Sequence, residues 1–321
     1  IMLFDLSTND KAKETLATFL RLDLEKLEKQ TKISMFKRTL TGALIGLVYI
    51  AAILAGYFFD RAITSYFLCI VVGISIMEVR YALGDRISKK IGILIWIFAL
   101  SYGIFYFAFG FTGVALFTLA IFIIGCIISI FNVKEDLATS LFNFAFLLIY
   151  PALIMSALFY LNKAQDTTTG ELTPYNTVAL SLAFTVSSCT DMFAYFFGVL
   201  FGKHKLVAEI SPKKTVEGAI GGLFGGLVGA FVVFLLFETP FALFDFGIPF
   251  PLGWKITAYV AIGLFGSVFT QTGDLVASIV KRHTTVKDYS RLLGSHGGVM
   301  DRFDGIMFNS VFIALIFATI F

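Results

Sequence analysis

The sequence predicts an all-α, polytopic membrane protein, and three observations carry that prediction. Hydrophobic residues make up 58% of the chain and charged residues only 15%, where a soluble domain carries roughly a quarter charged. Mean hydropathy is +0.86 over 321 residues, 38 of them phenylalanine. Apolar runs close to the length of about 20 residues that a helix needs to cross a bilayer recur about nine times.

Residues 1–34 come first and read as an amphipathic extension. Ser7 or Thr8 can cap a helix whose Leu16, Phe19, Leu20, Leu24 and Leu27 share one apolar stripe. Met35 heads a basic and then apolar stretch, so residues 1–34 are expected to take no part in catalysis. They lack the apolar core of a signal peptide. The N-terminal membrane region, 35–175, holds five spans at residues 40–59, 62–78, 91–109, 111–131 and 139–161. Only Gly110 and Gly113 mark the turn between the third and fourth. The C-terminal region, 176–321, holds four more at 176–200, 217–237, 256–280 and 305–321, separated by polar loops.

Basic residues set the orientation. Lys32, Lys37 and Arg38 precede the first span; Arg80, Arg86, Lys89 and Lys90 follow the second; Lys203, Lys205, Lys213 and Lys214 follow the sixth; Lys281, Arg282, Lys287, Arg291 and Arg302 follow the eighth. Through nine spans all of these fall on one side, while the intervening loops carry few cations. The positive-inside rule therefore predicts a cytoplasmic N-terminus and a C-terminus outside. The cationic loops suit anionic lipid or a soluble polyanion. Cys69, Cys126 and Cys189 lie singly in apolar runs, which indicates neither a disulfide framework nor a zinc cluster.

Ionisable groups inside the spans are rare and therefore informative. Asp191, in the sixth span, would cost about 2.5 to 3.5 kcal/mol if left unpaired. Tyr195 and Gly198 share its helix face. A single interhelical hydrogen bond from a protonated Asp191 is the structural alternative. Asp274, in the eighth span, is followed on the same face by Ser278 and Lys281, a carboxylate at depth below a cation. An ion pair or the floor of a metal and phosphate site would both look like this. Asp301 and Asp304, three residues apart, project from one helix face and can share one hard cation, since Mg²⁺ takes one or two carboxylates with water and phosphate oxygens. Arg302 points elsewhere, toward a phosphate. His296-Gly-Gly298 breaks the chain just before, letting backbone amides turn toward an anion. Lys281, Arg282 and Lys287 add charge to neutralise a triphosphate. The glycines from Gly218 to Gly229 are spaced for close helix packing and lack the Gly-Lys-Ser/Thr ending of a phosphate loop. Ser211-Pro-Lys-Lys214 just before them sits at the membrane surface and can reach a shared site.

Residues 278–304 meet the pattern S-x-x-K-R-x4-K-D-x-[GSA]-x2-[LIF]-[PGS]-x-H-G-G-x-x-D-R-x-D at every fixed position: Ser278, Lys281, Arg282, Lys287, Asp288, Ser290, Leu293, Gly294, His296, Gly297, Gly298, Asp301, Arg302 and Asp304. This segment resembles the signature of the phosphatidate cytidylyltransferases, the CDP-diacylglycerol synthases. Asp191-Met-Phe-Ala-Tyr-Phe-Phe-Gly198 and Ser211-Pro-Lys-Lys-Thr-Val-Glu-Gly218 are similar to the family as well. The likeness in organisation covers residues 35–321, with motif support from residue 187 onward.

The resemblance implies transfer of a cytidylyl group from CTP to phosphatidic acid, with Mg²⁺ required and pyrophosphate released. It implies metal at Asp191, Asp274, Asp301 and Asp304, with a second cation as an option. Asp274, Asp301, Asp304, Lys281 and Arg302 become the expected catalytic set. Ser211, Lys213, Lys214, Ser278, Arg282, Lys287, Asp288, His296, Gly297 and Gly298 become the expected substrate-binding set. A lipid phosphate is already ionised at neutral pH, so no strong general base is needed and His296 is expected to bind or shape the loop. Membrane lipids, and a homodimer supported by glycine-rich helix contacts, are expected partners. No nucleic acid is expected. The expected location is a bacterial inner membrane or its equivalent, with the site facing the cytoplasm. A CTP-dependent polyprenol or dolichol kinase is the rival reading, and an ion transporter a more distant one. An alcohol phosphotransferase fits less well, since the 16 residues after Gly305 carry no charge.

Overall fold

A computed structural model describes residues 46–131, 137–163, 175–239, 251–294 and 297–320. The chain divides into two compact units, residues 1–49 and 50–321. The expected extension at 1–34 and His296 lie outside the described residues, and the architecture below is that of the second unit.

A short apolar helix, α1 (Gly46–Phe58), whose first four residues belong to the first unit, precedes α2 (Arg61–Leu83). Asp60 starts α2 by accepting from the Ala62 amide at 2.7 Å, and Ser88 caps α3 (Lys89–Ile130) by accepting from Ile91. At about 1.5 Å per residue, a straight α3 would be roughly twice as long as a bilayer core is thick. It is not straight. Gly110 takes φ 67°, which glycine adopts without strain. Phe105 stacks on Phe117 at 3.7 Å, and Phe98 meets Phe117 at 5.4 Å. In a straight helix Phe98 and Phe117 would stand roughly 28 Å apart, so the two halves fold back side by side, as the Gly110 turn predicts.

The next span runs through α4 (Leu137–Leu147), a π-helical turn (Leu148–Leu153) and α5 (Ile154–Lys163). Pro151 lies inside the turn, where its missing N–H and its ring are accommodated by the wider winding. Then come α6 (Tyr175–Phe201), α7 (Val216–Phe237), α8 (Leu252–His283) and α9 (Met300–Ile320). Among the described residues, seven helical stretches are long and apolar enough to cross a membrane, α3 counted as one.

The fold is mostly helical rather than all-α. Between α6 and α7 lies an antiparallel hairpin of β1 (Lys205–Val207) and β2 (Ser211–Thr215), with Lys205 opposite Thr215 and Val207 opposite Ser211. The sequence pattern misses it because both strands are short, β2 is polar, and Pro212 reads as a break.

Small residues and hydroxyls set the helix packing around the site. Side chains added at Gly221, Gly225 and Gly229 of α7 would collide with Phe197, Phe193 and the backbone of α6, which confirms the packing role of these glycines. Deeper, Ser187 meets Thr270 at 3.0 Å and Thr190 meets Ser267 at 2.8 Å. Asn309 of α9 donates to Ser187 and to the Ala183 carbonyl, both at 3.1 Å. Lipid offers these groups no partner, so each bond ties α6, α8 and α9 into one arrangement. Among the described residues Cys69, Cys126 and Cys189 form no disulfide.

Candidate active site

The polar ends of α6, α8 and α9 and strand β2 enclose a pocket of about 630 Å³. Asp191 enters from α6, Asp274 from α8, and Asp301 and Asp304 from the first turns of α9. All four carboxylates line this one space. A side chain at Gly273 would run into the backbone carbonyl of Asp304, so glycine lets α8 and α9 approach where their acids meet. Asp304 is 6% exposed and accepts from the Gly305 amide at 2.8 Å; the charges of Asp274 and Asp191 act directly on it. Asp191 stands open to the pocket, in the fields of Lys214 and Arg302.

The cations interleave with the acids. Lys214 Nζ lies 2.6 Å from Asp274 Oδ2, and Lys281 Nζ lies 2.7 Å from Asp301 Oδ1. The lysine expected above Asp274 on its own helix thus bonds to α9, while Asp274 is neutralised from the hairpin. Lys205, Lys213 and Arg302 complete the positive wall. Arg302 shares the pocket with the acids flanking it in sequence instead of pointing away.

The loop between α8 and α9 is gathered by Asp301. Its Oδ2 accepts from the backbone amides of Tyr289 and Gly298, each at 2.9 Å, while Oδ1 receives Lys281. Tyr289 lies outside the spans; burial pushes its hydroxyl above the usual phenol range, so it stays protonated and donates weakly to the Ala277 carbonyl at 3.4 Å. The Lys281 ammonium sits 5.5 Å from the centre of its ring.

Nine of the expected residues share the pocket: Asp191, Lys213, Lys214, Asp274, Lys281, Asp288, Asp301, Arg302 and Asp304. Ser211, Ser278, Arg282, Lys287, Gly297 and Gly298 lie outside its wall. Arg282 donates to the Ile210 carbonyl at 3.3 Å and so holds the hairpin against α8. Gly297, at φ 78°, passes its carbonyl back to the Leu293 amide and closes the loop.

Other pocket residues escaped the sequence reading. Thr215 and Gln271 line the wall beside the Tyr195 already expected on the face of Asp191, Gln271 donating to the Ala219 carbonyl of α7 at 3.2 Å. Tyr150, 2% exposed, lies in the π-helical turn outside the pocket wall. Glu78 of α2 reaches the loop. A π-helical turn often marks a functional site, but nothing in a lone apolar run around Pro151 announces it.

Among the described residues, no three His, Cys, Asp or Glu side chains converge as a finished metal site. The donors nevertheless fit Mg²⁺ in part. They are hard carboxylate oxygens, and Mg²⁺ commonly takes one or two of them while keeping water and phosphate for the rest. Asp274 and Asp304, brought together at Gly273, suit that role better than Asp301, whose two oxygens already take three donors.

The sequence profile of the cytidylyltransferase family matches residues 36–320. The phosphatidate cytidylyltransferase of Bacillus subtilis (strain 168) is 31% identical over 287 residues, 89% of this chain and 98% of that protein. Those of Staphylococcus aureus (strain COL) and Staphylococcus haemolyticus (strain JCSC1435) are 44% and 46% identical over 128 and 126 residues. These two alignments cover 39% of this chain and span 44% of the relatives' own length.

Proposed function

We infer the function from one premise: the chain belongs to the cytidylyltransferase family. The reading best supported is a phosphatidate cytidylyltransferase, which joins CTP and phosphatidic acid into CDP-diacylglycerol and pyrophosphate. The observation that carries it is the single pocket in which five carboxylates and five cationic side chains meet at the polar ends of membrane helices. Such a place receives a lipid headgroup from the bilayer and a nucleotide from water.

An oxygen of the lipid phosphate attacks the α-phosphorus of CTP. A new P–O–P bond forms, the bond between the α- and β-phosphates breaks, and pyrophosphate leaves with the electron pair. Both reactants are anions, so the protein's task is to place them in line and hold their charge. Lys213, Lys214 and Arg302 face the pocket to clamp phosphate oxygens, and Lys281 keeps Asp301 and the loop in place. Mg²⁺, held by Asp274 and Asp304, would add Lewis-acid stabilisation of the phosphate charge. Asp191 completes the acidic wall. No side chain is needed as nucleophile.

The reading includes nine spans, with the two halves of α3 counted separately and α1 completing the first span, a cytoplasmic N-terminus and the pocket on the cytoplasmic side. The purified protein, given CTP labelled at the α-phosphate together with phosphatidic acid and Mg²⁺, should yield labelled CDP-diacylglycerol. Label transferred from the γ-position to a lipid alcohol would assign the rival kinase activity instead.

A further inference from the structure

We propose that Glu78 is a positioning residue of the active site, through which the N-terminal half of the protein fixes the first turn of α9. The inference deepens the cytidylyltransferase reading and rests on it. Glu78 lies on α2, more than 200 positions from the residues it binds, and its side chain is 4% exposed. Its Oε1 accepts from the Ser290 hydroxyl at 2.6 Å and the Val299 amide at 3.0 Å, and its Oε2 accepts from the Met300 amide at 2.7 Å. Val299 and Met300 lead into α9, where backbone amides lack partners within the helix and the helix dipole favours an anion. A carboxylate from another helix supplies both needs.

The geometry links this contact to the chemistry. Asp301 gathers the amides of Tyr289 and Gly298; Glu78 gathers Ser290, Val299 and Met300. Neighbouring residues at each end of the loop are thus tied to two carboxylates, one from α9 and one from α2. Between them they fix where α9 begins, and its first turns carry Asp301, Arg302 and Asp304. Gly298 belongs to the same device: a Cβ there would collide with both oxygens of the Glu78 carboxylate, so the glycine is required by the close approach of α2. Glu78 does not line the pocket and acts only through α9.

A Glu78→Gln variant keeps the shape but turns an NH2 toward one of the donors. The displaced first turn should lower kcat about 10- to 100-fold, because misplacement of about 1 Å costs on that order, while KM for CTP stays within about threefold. The measurement uses the full chain, purified in mixed micelles with phosphatidic acid, at equal amounts of folded protein. A second variant tests the coupling. Gly298→Ala should cripple the wild-type background but cost much less when combined with Glu78→Ala, which removes the oxygens it strikes. If Glu78→Gln fails to accumulate, Ser290→Ala removes one donor and should lower kcat about 3- to 10-fold at unchanged KM. Wild-type kcat in the folded Glu78→Gln or Ser290→Ala protein, a change confined to KM, or additive losses in the Gly298 pair would each overturn the proposal. Absence of CDP-diacylglycerol from the wild-type protein would instead overturn the functional reading.

Discussion

Lys214 and Asp274 form an ion pair whose two members have different parts in the proposed reaction. Lys214 neutralises Asp274 at 2.6 Å from the hairpin side. A divalent cation on Asp274 would replace that neutralisation and release the ammonium toward a phosphate, so the two residues should fail differently. Asp274→Asn should lower kcat at least about 100-fold, the scale reached when a group stabilising transition-state charge is removed. Lys214→Gln removes one charged hydrogen-bond donor, worth about 1.5 to 3 kcal/mol, and should lower kcat/KM for CTP about 10- to 100-fold. Near-normal turnover of Asp274→Asn with labelled CTP would remove the metal assignment. Chelation gives the companion measurement. EDTA should abolish synthesis and Mg²⁺ restore it, and Asp304→Asn should raise the Mg²⁺ concentration for half-maximal rate about tenfold or more.

The element that brings Lys213 and Lys214 to the site is the β1–β2 hairpin, and Arg282 anchors it through the Ile210 carbonyl. Arg282→Ala should therefore loosen the hairpin rather than strip the pocket of a ligand. The expected result is a CTP KM raised about 3- to 10-fold, with kcat changed less than KM. Limited proteolysis should cut near residues 203–210 faster than in the parent. A collapse of kcat at constant KM would return Arg282 to direct work on the substrate. Gly110 offers a contrasting test. Alanine at its positive φ should cost about 1 to 2 kcal/mol, visible as a lower melting temperature, with turnover preserved because the hairpin of α3 lies outside the pocket. These elements differ in how far they could be read from sequence. Apolar runs of span length mark α2 to α9, and Gly110 marks its turn, because both effects are local. Strand β2 was obscured by its lysines and Pro212. Asp301 and Asp304 were legible as a pair three residues apart. The Glu78 contribution was not, since it depends on partners more than 200 positions away.

For the whole molecule, the decisive question is which ends of the helices share a side. Arg86, after α2, donates to the His283 carbonyl at the end of α8, and Arg282 beside it binds the hairpin between α6 and α7. The basic turns therefore cluster at one end, with the pocket. The other end carries the Asn162 contact to the Arg61 carbonyl and, between α7 and α8, the Lys255–Glu238 pair at 2.6 Å. This segregation is what the positive-inside rule acts on, and the proposed reading accordingly puts the pocket on the cytoplasmic side. Cysteines substituted at Lys90 and Arg291 should react with a membrane-impermeant maleimide only after the cytoplasmic face is opened. One at Trp254, 71% exposed at the opposite end, should react in intact cells. The native cysteines, lying within spans, provide the background for a parent control. The reverse pattern would put the pocket outside. A triphosphate does not cross the bilayer unaided, so that result would separate the site from cytoplasmic CTP. The CTP-dependent reading would then fall however well the carboxylates and lysines converge.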